Sequence, residues 1–344
     1  MDYTTLGNTG LKVSQLCLGA MTFGSSFHGI GEVDQDQADQ LVGRALDAGV
    51  NFFDTADVYS YGESERILGQ AIANSDTPRD QTVIATKVRG AMSEAAQEGT
   101  GDVNNVGLSR KHIITSCENS LQRLGTDYLD LYQIHGYDPV VPWEETLGAL
   151  TDLVRQGKVR YVGCSNLAAR HIMKANGLAA LHDWEQFVSL QAYYSVVGRD
   201  LEHELLPLCR EEGIGTMIWS PLAGGFLTGK FRRGEEGPED ARRSGFDFPP
   251  IDEETAYDVI ELFDEMAEEK DATIPQLALG WLLEQSGVSS VILGAKKMGQ
   301  LEDNLEAIDV SFTEGDLERI DELTKPAPNY PKWMIQFQNE RENR

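Results

Sequence analysis

The sequence is poor in basic residues. It contains 29 Lys and Arg against 56 Asp and Glu in 344 residues, so its formal net charge is −27 at pH 7. A surface of this sign repels polyanions, which argues against DNA, RNA and anionic lipid as partners. The acidic residues are spread along the whole chain and Arg outnumbers Lys, a pattern that favours adaptation to high salt. We therefore predict a halophilic, salt-requiring protein.

This prediction has a direct test. We expect the melting temperature to fall as ionic strength is lowered, because unscreened carboxylates repel one another most strongly in the compact state. Thermal unfolding in a series of salt concentrations measures the effect. A neutral osmolyte at matched osmolality serves as the control. Undiminished stability at low salt would remove the halophilic interpretation.

Paired cysteines, metal-ligand spacings and long apolar runs are also missing. The four cysteines, Cys17, Cys117, Cys164 and Cys209, stand far apart with no C-x-x-C pair and no accompanying histidine spacing. They are predicted to be isolated buried thiols, and no metal site is predicted. No run approaches the roughly 18 apolar residues of a membrane span, and the first residues lack the pattern of a signal peptide. These absences predict a cytoplasmic protein without a membrane partner.

Short apolar runs alternate with stretches of helical periodicity along the chain. The predicted strands are Gln15–Leu18, Asn51–Asp54, Thr82–Thr86, Leu129–Gln133, Val159–Gly163, Phe187–Leu190, Gly215–Trp219 and Ser290–Leu293. The predicted helices are Gln35–Ala48, Glu63–Ala73, Arg110–Leu124, Pro142–Arg155, Leu167–Asn176, Leu201–Glu212, Glu253–Glu269 and Pro275–Glu284. Before the first strand, Tyr3–Leu6 and Leu11–Ser14 flank a turn cluster and predict a hairpin.

Eight strand and helix units match the number that closes a parallel sheet into a barrel. The G-x-G-x-x-G fingerprint expected after the first strand of an open dinucleotide-binding sheet is absent. The sequence therefore predicts an α/β fold, a (β/α)8 TIM barrel that forms one domain over residues 1–344. Thr228–Pro250 and the tail after Lys325 break the alternation and are predicted to be long loops over one mouth of the barrel.

Polar side chains stand at the C-terminal ends of successive predicted strands. In chain order these residues are Asp54, Lys87, His135, Ser165 with Asn166, Gln191, and Trp219 with Ser220. Side chains at the C-terminal ends of barrel strands converge on the face where such barrels keep their active sites. The two-residue alternation of a strand also puts Lys87 in line with Val83 and Ala85, and His135 in line with Leu131 and Gln133. These polar ends are predicted to meet in one cavity.

A Lys, an Asp and a His gathered around a Tyr can together lower the pKa of that Tyr, so that it can act as a proton donor. An isolated tyrosine has a pKa near 10, so it holds its proton too tightly to protonate an oxygen at neutral pH. A neighbouring ammonium group stabilises the phenolate, a carboxylate keeps that Lys charged and fixed, and an imidazole can hydrogen-bond the same substrate oxygen. Such a site suits the reduction of a C=O group.

The segment FFDTADVYSYGESE at 52–65 resembles the Asp-Thr-Ala-x-x-Tyr-x-x-Gly-x-Ser-Glu motif of the aldo-keto reductases. The resemblance, nearest to the branch of aryl-alcohol dehydrogenase-like enzymes and potassium-channel β-subunits, continues in ATKV (85–88), YQIHGYD (132–138), GCSN (163–166), SLQAYYS (189–195), WSPLAGGFLTGK (219–230) and LGAKKMGQLEDN (293–304). It implies a catalytic tetrad of Asp54, Tyr59, Lys87 and His135. Hydride would pass from nicotinamide C4 to the carbonyl carbon while Tyr59 protonates the oxygen.

The same resemblance implies contacts to the cofactor. Ser165, Asn166 and Gln191 would bind the carboxamide, and Trp219 would stack on the nicotinamide ring. The other residues of the implied lining are Gly19, Ala20, Met21, Asp54, Ser220, Pro221, Leu222, Gly224, Gly225, Lys230, Gly294, Lys296, Gln300, Asp303 and Asn304. A Gly-rich turn suits a pyrophosphate, and Lys296, Lys297 and Arg242 favour NADPH or NADP+, with NADH still possible.

Several motifs have a simpler interpretation. Tyr61 is a second tyrosine close to Tyr59, and only the family spacing of five residues from Asp54 favours Tyr59. GGFLTGKF at 224–231 approaches a P-loop, but Phe231 replaces the magnesium-binding hydroxyl. Cys164 is predicted to be a buried apolar residue rather than an oxidant sensor, and Lys296 with Lys297 is as readily solvated surface charge. Met21, Phe23, Phe27, Tyr137 and Trp333 are either the wall of an apolar substrate pocket or core packing.

The predicted function is NADPH-dependent reduction of small aldehydes or ketones. The alternative is an NADPH-binding regulatory module with negligible turnover, since channel β-subunits resemble this chain in the Trp-Ser-Pro-Leu and Gly-to-Asn segments. Those subunits have Asn where His135 stands, so the histidine favours catalysis. A barrel isomerase or hydrolase would need paired carboxylates or a metal cluster at the strand ends, where only Asp54 is found.

Overall fold

The computed structural model describes residues 1–25, 32–235, 237–238 and 242–338, apart from the side chains of Arg242, Ser244 and Gln336. The strands are β1 Tyr3–Thr5, β2 Lys12–Ser14, β3 Leu16–Gly19, β4 Phe52–Asp54, β5 Val83–Val88, β6 Leu129–Ile134, β7 Val159–Ser165, β8 Ser189–Tyr193, β9 Gly215–Trp219 and β10 Val288–Gly294. The helices are α1 Gln35–Asp47, α2 Glu63–Asn74, α3 Glu94–Glu98, α4 Arg110–Leu124, α5 Trp143–Arg155, α6 Ala169–His182, α7 Leu205–Glu212, α8 Arg242–Gly245, α9 Glu253–Lys270, α10 Ile274–Leu283, α11 Met298–Leu305, α12 Glu314–Thr324 and α13 Lys332–Phe337.

Strands β3 to β10 form a closed parallel barrel. Each pairs with the next in chain order, and β10 pairs with both β9 and β3. Helices follow the strands on the outside, so the predicted (β/α)8 barrel is confirmed. At the C-terminal edge the register sets Gly19 beside Asp54 and Lys87 beside Gln133. Strand ends that lie far apart in sequence therefore meet around one mouth.

The antiparallel hairpin β1–β2 closes the opposite end of the barrel. Leu6 and Val13 are fully buried and pack with Phe52, Leu131 and Met217 of the barrel interior. The backbone N–H of Asn8 also donates to Gly213 O at 2.6 Å, which ties the hairpin to the turn just before β9. The hairpin therefore seals this end of the barrel, its floor.

All four cysteines are buried and free, as predicted. Within the described ranges no group of three or more His, Cys, Asp or Glu could hold a metal ion. The same residues include no helix with the length and hydropathy that crossing a membrane requires.

The two segments predicted to be long loops contain short helices. α8 lies at Arg242–Gly245 within the first segment, and α13 lies in the C-terminal tail. The prediction of an uninterrupted helix over Leu201–Glu212 was wrong, because a 3-10 turn at Asp200–Glu202 is separated from α7 by Glu204, whose backbone is not helical.

Candidate active site

A buried ion pair lies at the centre of the barrel mouth. The Lys87 side chain is fully buried and Asp54 is 3% exposed. Lys87 Nζ donates to Asp54 Oδ2 at 2.6 Å and to Thr55 O at 2.8 Å. Burial on its own would lower the pKa of Lys87, but the Asp54 carboxylate and the Tyr59 hydroxyl outweigh it and raise that pKa above its ordinary value. The pair therefore places a fixed ammonium group beneath the mouth.

Two glutamine side chains hold the other oxygen of Asp54. Gln191 Nε2 donates to Asp54 Oδ1 at 2.7 Å, and Gln133 Nε2 donates to the same atom at 3.3 Å. Both glutamines are buried. Gln133 was not among the predicted site residues, although it precedes His135 by two positions in the inward row of β6. The carboxylate is thus fixed from both sides by hydrogen bonds.

Tyr59 is brought over Lys87 by an unusual turn. Its hydroxyl lies 3.4 Å from Lys87 Nζ, and it is 8% exposed. The next residues, Ser60 and Tyr61, have φ angles of 46° and 51°, a left-handed backbone that costs energy for residues other than glycine. This turn sends the Tyr61 side chain outward, where it is 42% exposed. The turn therefore places Tyr59, and not Tyr61, next to Lys87.

His135 stands beside Tyr59 at the end of β6. Its N–H donates to Val88 O at 2.9 Å, and its ring meets that of Tyr59 edge to face with centroids 5.7 Å apart. Loss of hydration, with the positive charges of Lys87 and Arg89, lowers the pKa of His135 to about 3. At neutral pH the ring is uncharged, so one nitrogen carries a proton and the other can accept a hydrogen bond.

Histidines with a lowered pKa predict a loss of stability in acid. The pKa is about 4 for His112 and about 3 for His135, so both take up protons below about pH 6.5 in the unfolded chain, but only near pH 4 or below in the folded one. The free energy of unfolding should therefore fall as the pH drops from about 7 towards 4. We expect His112→Gln to remove on the order of 1 kcal/mol of the change between pH 7 and pH 5, as measured by urea unfolding. The control is His182→Gln, which changes an exposed histidine. An equal pH dependence in both variants would contradict the prediction.

The predicted carboxamide residues lie beside the ion pair. Ser165 is buried, and its Oγ accepts a hydrogen bond from Asn166 Nδ2 at 2.9 Å. Asn166 has a φ of 55°, and its Oδ1 accepts from Trp219 Nε1 at 3.1 Å. The amide nitrogen of Gln191 is already committed to Asp54. Asn166 Nδ2 also donates to His135 O at 3.2 Å. A carboxamide bound at the mouth would therefore share or replace contacts that Asn166 makes within the chain, and Gln191 would offer mainly its carbonyl oxygen.

Trp219 is partly exposed at the end of β9 and is surrounded by aromatic rings. Phe248 lies parallel to it, with centroids 5.6 Å apart and planes 9° from parallel. Tyr193 contacts it with centroids 5.2 Å apart. Phe248, which the sequence did not single out, thus covers part of the indole ring on which a nicotinamide is expected to stack.

The turn after β9 has the geometry of a phosphate cradle. Ser220, Ala223, Gly224 and Gly225 all have positive φ angles, between 50° and 94°. A Cβ at Gly224 would lie 2.4 Å from Phe248 O, so only glycine fits there. Pro221 is buried and Leu222 partly buried, and Lys230 is exposed. A cation therefore lies on the segment that follows a tightly curved, glycine-dependent backbone.

The residues after β10 that were predicted to bind the adenosine make contacts with other residues of the chain. Gln300 Oε1 accepts from the N–H groups of Lys296 and Lys297 at 3.0 and 3.2 Å. Lys296 Nζ lies 3.0 Å from Glu32 Oε2. The Asp303 carboxylate accepts from Thr273 Oγ1 and from Gln276 Nε2, both at 3.0 Å, so it stabilises the start of α10.

The remaining predicted residues fall into two groups. Gly19 ends β3, Ala20 N–H donates to Asp54 O at 2.8 Å, and Met21 is partly exposed, so these three border the tetrad. Gly294 is exposed with open space around it, and Asn304 is buried. The Arg242 side chain lies outside the described part of the chain.

Of the candidate wall residues, Phe23 is fully buried in the core and Tyr137 is 38% exposed and stacked on His171. Trp333 is 49% exposed and contacts Tyr330. Phe27 lies outside the described residues.

Comparison with known proteins gives the site its context. A sequence model of the aldo/keto reductase family matches residues 15–325. The chain is 38% identical to a putative voltage-gated potassium channel subunit beta of Schizosaccharomyces pombe, over 95% of this chain and 94% of that protein. It is 36% identical to an uncharacterized oxidoreductase of Bacillus subtilis, over 94% and 96%. It is also 35% identical to a putative aryl-alcohol dehydrogenase of S. pombe, over 95% and 96%.

Proposed function

The chain belongs to the aldo/keto reductase family and is an oxidoreductase, and from this premise we propose that it reduces aldehydes or ketones to alcohols with NADPH, Tyr59 supplying the proton. The observation that carries the proposal is the 3.4 Å contact between Tyr59 OH and Lys87 Nζ, above an ion pair that is itself buried. A fixed ammonium next to a tyrosine hydroxyl favours transfer of the phenolic proton, because it stabilises the phenolate that remains.

A nicotinamide cofactor fits the residues present at the mouth. Trp219 and Asn166 would hold the nicotinamide, the Ser220–Gly225 turn with Lys230 would hold the pyrophosphate, and the segment after Gly294 would hold the adenosine. The turn supports this because successive residues have positive φ angles and the space beside Gly225 is open, as a phosphate-binding curve of backbone N–H groups requires. When bound, the reduced nicotinamide supplies a hydride to the carbonyl carbon.

The protein's own residues handle the proton and the orientation of the substrate. Tyr59 donates its hydroxyl proton to the carbonyl oxygen and becomes a phenolate that Lys87 stabilises. Asp54 keeps Lys87 charged and in place. The uncharged His135 ring hydrogen-bonds the same oxygen and so selects the orientation in which it faces Tyr59. Tyr59 is then the proton donor, and a different side chain, His135, orients the substrate.

We expect NADPH to give a higher kcat/KM than NADH. Lys296 would bind the 2′-phosphate after exchanging its contact with Glu32 for a contact with the phosphate. Lys296→Ala should then lower the NADPH-to-NADH ratio of kcat/KM by about tenfold, the effect of losing one charge-assisted hydrogen bond. Lys12→Ala, which removes an exposed Lys from the hairpin at the barrel floor, is the matched control. Equal kcat/KM for the two cofactors in the unaltered protein would contradict this preference.

The experiment that tests the function is turnover of NADPH with a panel of aldehydes and ketones, followed by its absorbance. The 38% sequence identity with a putative potassium-channel subunit supports a second candidate function, an NADPH-binding regulatory module. Tight NADPH binding without turnover of any carbonyl compound would favour the module. The presence of His135 beside Tyr59 favours the enzyme.

A further inference from the structure

Arg89 lies between the two loops that carry Tyr59 and His135. The next residue, Gly90, packs against the residue before Tyr59, since a Cβ at Gly90 would be 2.6 Å from Val58 Cβ. On the other side, Arg89 Nε donates to Tyr137 O at 2.9 Å, and its Cδ lies 3.6 Å from where a Gly136 Cβ would be. Arg89 O accepts from the N–H of Gly107 at 2.9 Å. The residue is therefore held firmly at the barrel mouth.

The guanidinium group of Arg89 has no acidic partner among the described residues. Its Nε is used by Tyr137, whereas its two Nη groups have no hydrogen bond or ion pair within that part of the chain. The other arginines that pair with no carboxylate in the described part of the chain are all exposed to solvent: Arg66, Arg155, Arg160, Arg170 and Arg210. Partly buried Arg199 and Arg123, by contrast, pair with carboxylates. In a chain of net charge −27, a half-buried arginine left without a carboxylate is a site at which an external anion can bind.

The charge balance of the mouth supports this. Asp54 and Lys87 form a pair without net charge, and His135 is uncharged at neutral pH because its pKa is about 3. Arg89 is close enough to His135 to contribute to that shift. It therefore brings an uncompensated positive charge next to the residues that receive the carbonyl group.

The backbone conformation of Arg89 also indicates a functional role. Its φ angle is 149°, in the region that favours glycine. Strained backbones of non-glycine residues cluster at functional sites, where the side chain is needed in one place. The strand β5 ends at Val88, so nothing in the sheet requires an arginine at the next position.

We propose that Arg89 is a specificity residue that binds the anionic group of a carbonyl substrate, and that this enzyme acts on aldehydes bearing a carboxylate. The inference rests on the proposed reductase function. A carboxylate matches a single guanidinium in charge, and the two free Nη groups can bind its two oxygens. A phosphate dianion would require a second cation, and none of the described contacts of Arg89 supplies one. The substrate would therefore be an oxo acid whose carbonyl group faces Tyr59.

The test compares two aldehydes that differ only in charge. 4-Carboxybenzaldehyde and its methyl ester, methyl 4-formylbenzoate, are reduced with NADPH at one salt concentration at which melting curves show every variant folded. Succinic semialdehyde and its methyl ester repeat the comparison with an aliphatic chain. We expect the unaltered protein to favour each acid over its ester by about ten- to hundredfold in kcat/KM, mostly through KM.

Variants assign the preference to Arg89. Arg89→Met should lower the acid-to-ester ratio at least about tenfold, and Arg89→Lys should restore part of it, because an ammonium group keeps the charge without the planar fork. Arg210→Met is the matched control, since Arg210 is exposed and packs by Gly287 at the opposite end of the barrel, and it should keep the ratio. Benzoate should inhibit reduction of the ester competitively, and more weakly in Arg89→Met.

The outcomes separate the two proposals. If the protein reduces none of the carbonyl compounds with either cofactor, the reductase function itself is wrong. If both members of a pair are reduced equally well, or if Arg89→Met keeps the preference for the acid, carboxylate recognition by Arg89 is wrong while the reductase function stands. A fall in acid and ester activity by the same factor in Arg89→Met would likewise assign the residue a structural role and overturn the inference.

Discussion

Tyr59→Phe is expected to lower kcat for carbonyl reduction by about 10²- to 10⁴-fold, the range that positioned acid catalysis contributes. The substitution removes only the hydroxyl that lies 3.4 Å from Lys87 Nζ. The ring remains, so its edge-to-face contact with His135 at 5.7 Å should persist. The dissociation constant of NADPH, measured by fluorescence titration, should change by less than about threefold, since Tyr59 is not among the residues that would hold the cofactor.

Tyr61→Phe provides the matched comparison for this variant. Tyr61 is two residues away, and its side chain is exposed at the surface. Loss of its hydroxyl should leave kcat close to that of the unaltered protein. Should Tyr61→Phe show the larger loss of kcat, the assignment of the proton donor would have to move to that residue.

Lys87→Met is expected to destabilise the fold by about 3–5 kcal/mol, the cost of leaving one member of a buried ion pair without its partner. The Asp54 carboxylate would keep its hydrogen bonds from Gln191 and Gln133 but lose the ion-pair contact with Lys87 at 2.6 Å. Urea unfolding monitored by circular dichroism measures the loss. Reductase activity should disappear as well, because the ammonium next to Tyr59 is gone.

The double variant Asp54→Asn with Lys87→Met separates charge from packing. Asparagine keeps an oxygen that can accept from Gln191, and no net charge remains buried. Most of the lost stability should return, while activity stays absent. If the double variant is as unstable as Lys87→Met, the destabilisation comes from packing around the methionine rather than from an unpaired carboxylate.

The gathering of Asp54, Lys87 and His135 at one mouth of the barrel could be predicted because strand geometry is periodic. Lys87 and His135 each continue an inward row of their strand, and these rows are neighbours because β5 pairs with β6. Closure of the barrel then brings Gln191 of β8 to Asp54 of β4. The same rule would have identified Gln133, which lies in the row of His135 and binds Asp54 at 3.3 Å. Short-range alternation thus carries information about contacts between distant residues, provided that the sheet closes.

Helix boundaries depend on local signals that hydrophobic periodicity does not carry. Pro207 lies in the first turn of α7, where a prolyl nitrogen needs no partner, and it therefore indicates a helix that starts near Leu205 and not at Leu201. Thr313 and Asp316 form a capping box that marks the start of α12, which was not predicted. Helix α6, which was predicted to end at Asn176, continues through Gly177 to His182. Contacts within the fold outweigh the helix penalty of about 1 kcal/mol for one glycine.

The contacts made by loops had no periodic signal at all. Phe248 reaches Trp219 from a segment about thirty residues further along, and Arg243 holds that segment by donating to Ala223 O and Pro249 O at 3.1 and 2.8 Å. Glu32 reaches Lys296 across 264 residues. Such pairs depend on where irregular backbone travels, and side-chain type or spacing does not encode that path.

The sealed floor of the barrel has a consequence for how the sequence can vary. The hairpin and the lower interior, with Leu6, Val13 and Met217 fully buried, take no part in the proposed chemistry, whereas the tetrad and Arg89 lie at the upper rim. Mutational tolerance should therefore be polarised along the barrel axis. In a saturation mutagenesis library, substitutions near the floor should lower the amount of folded protein, and those at the rim should lower activity per folded molecule.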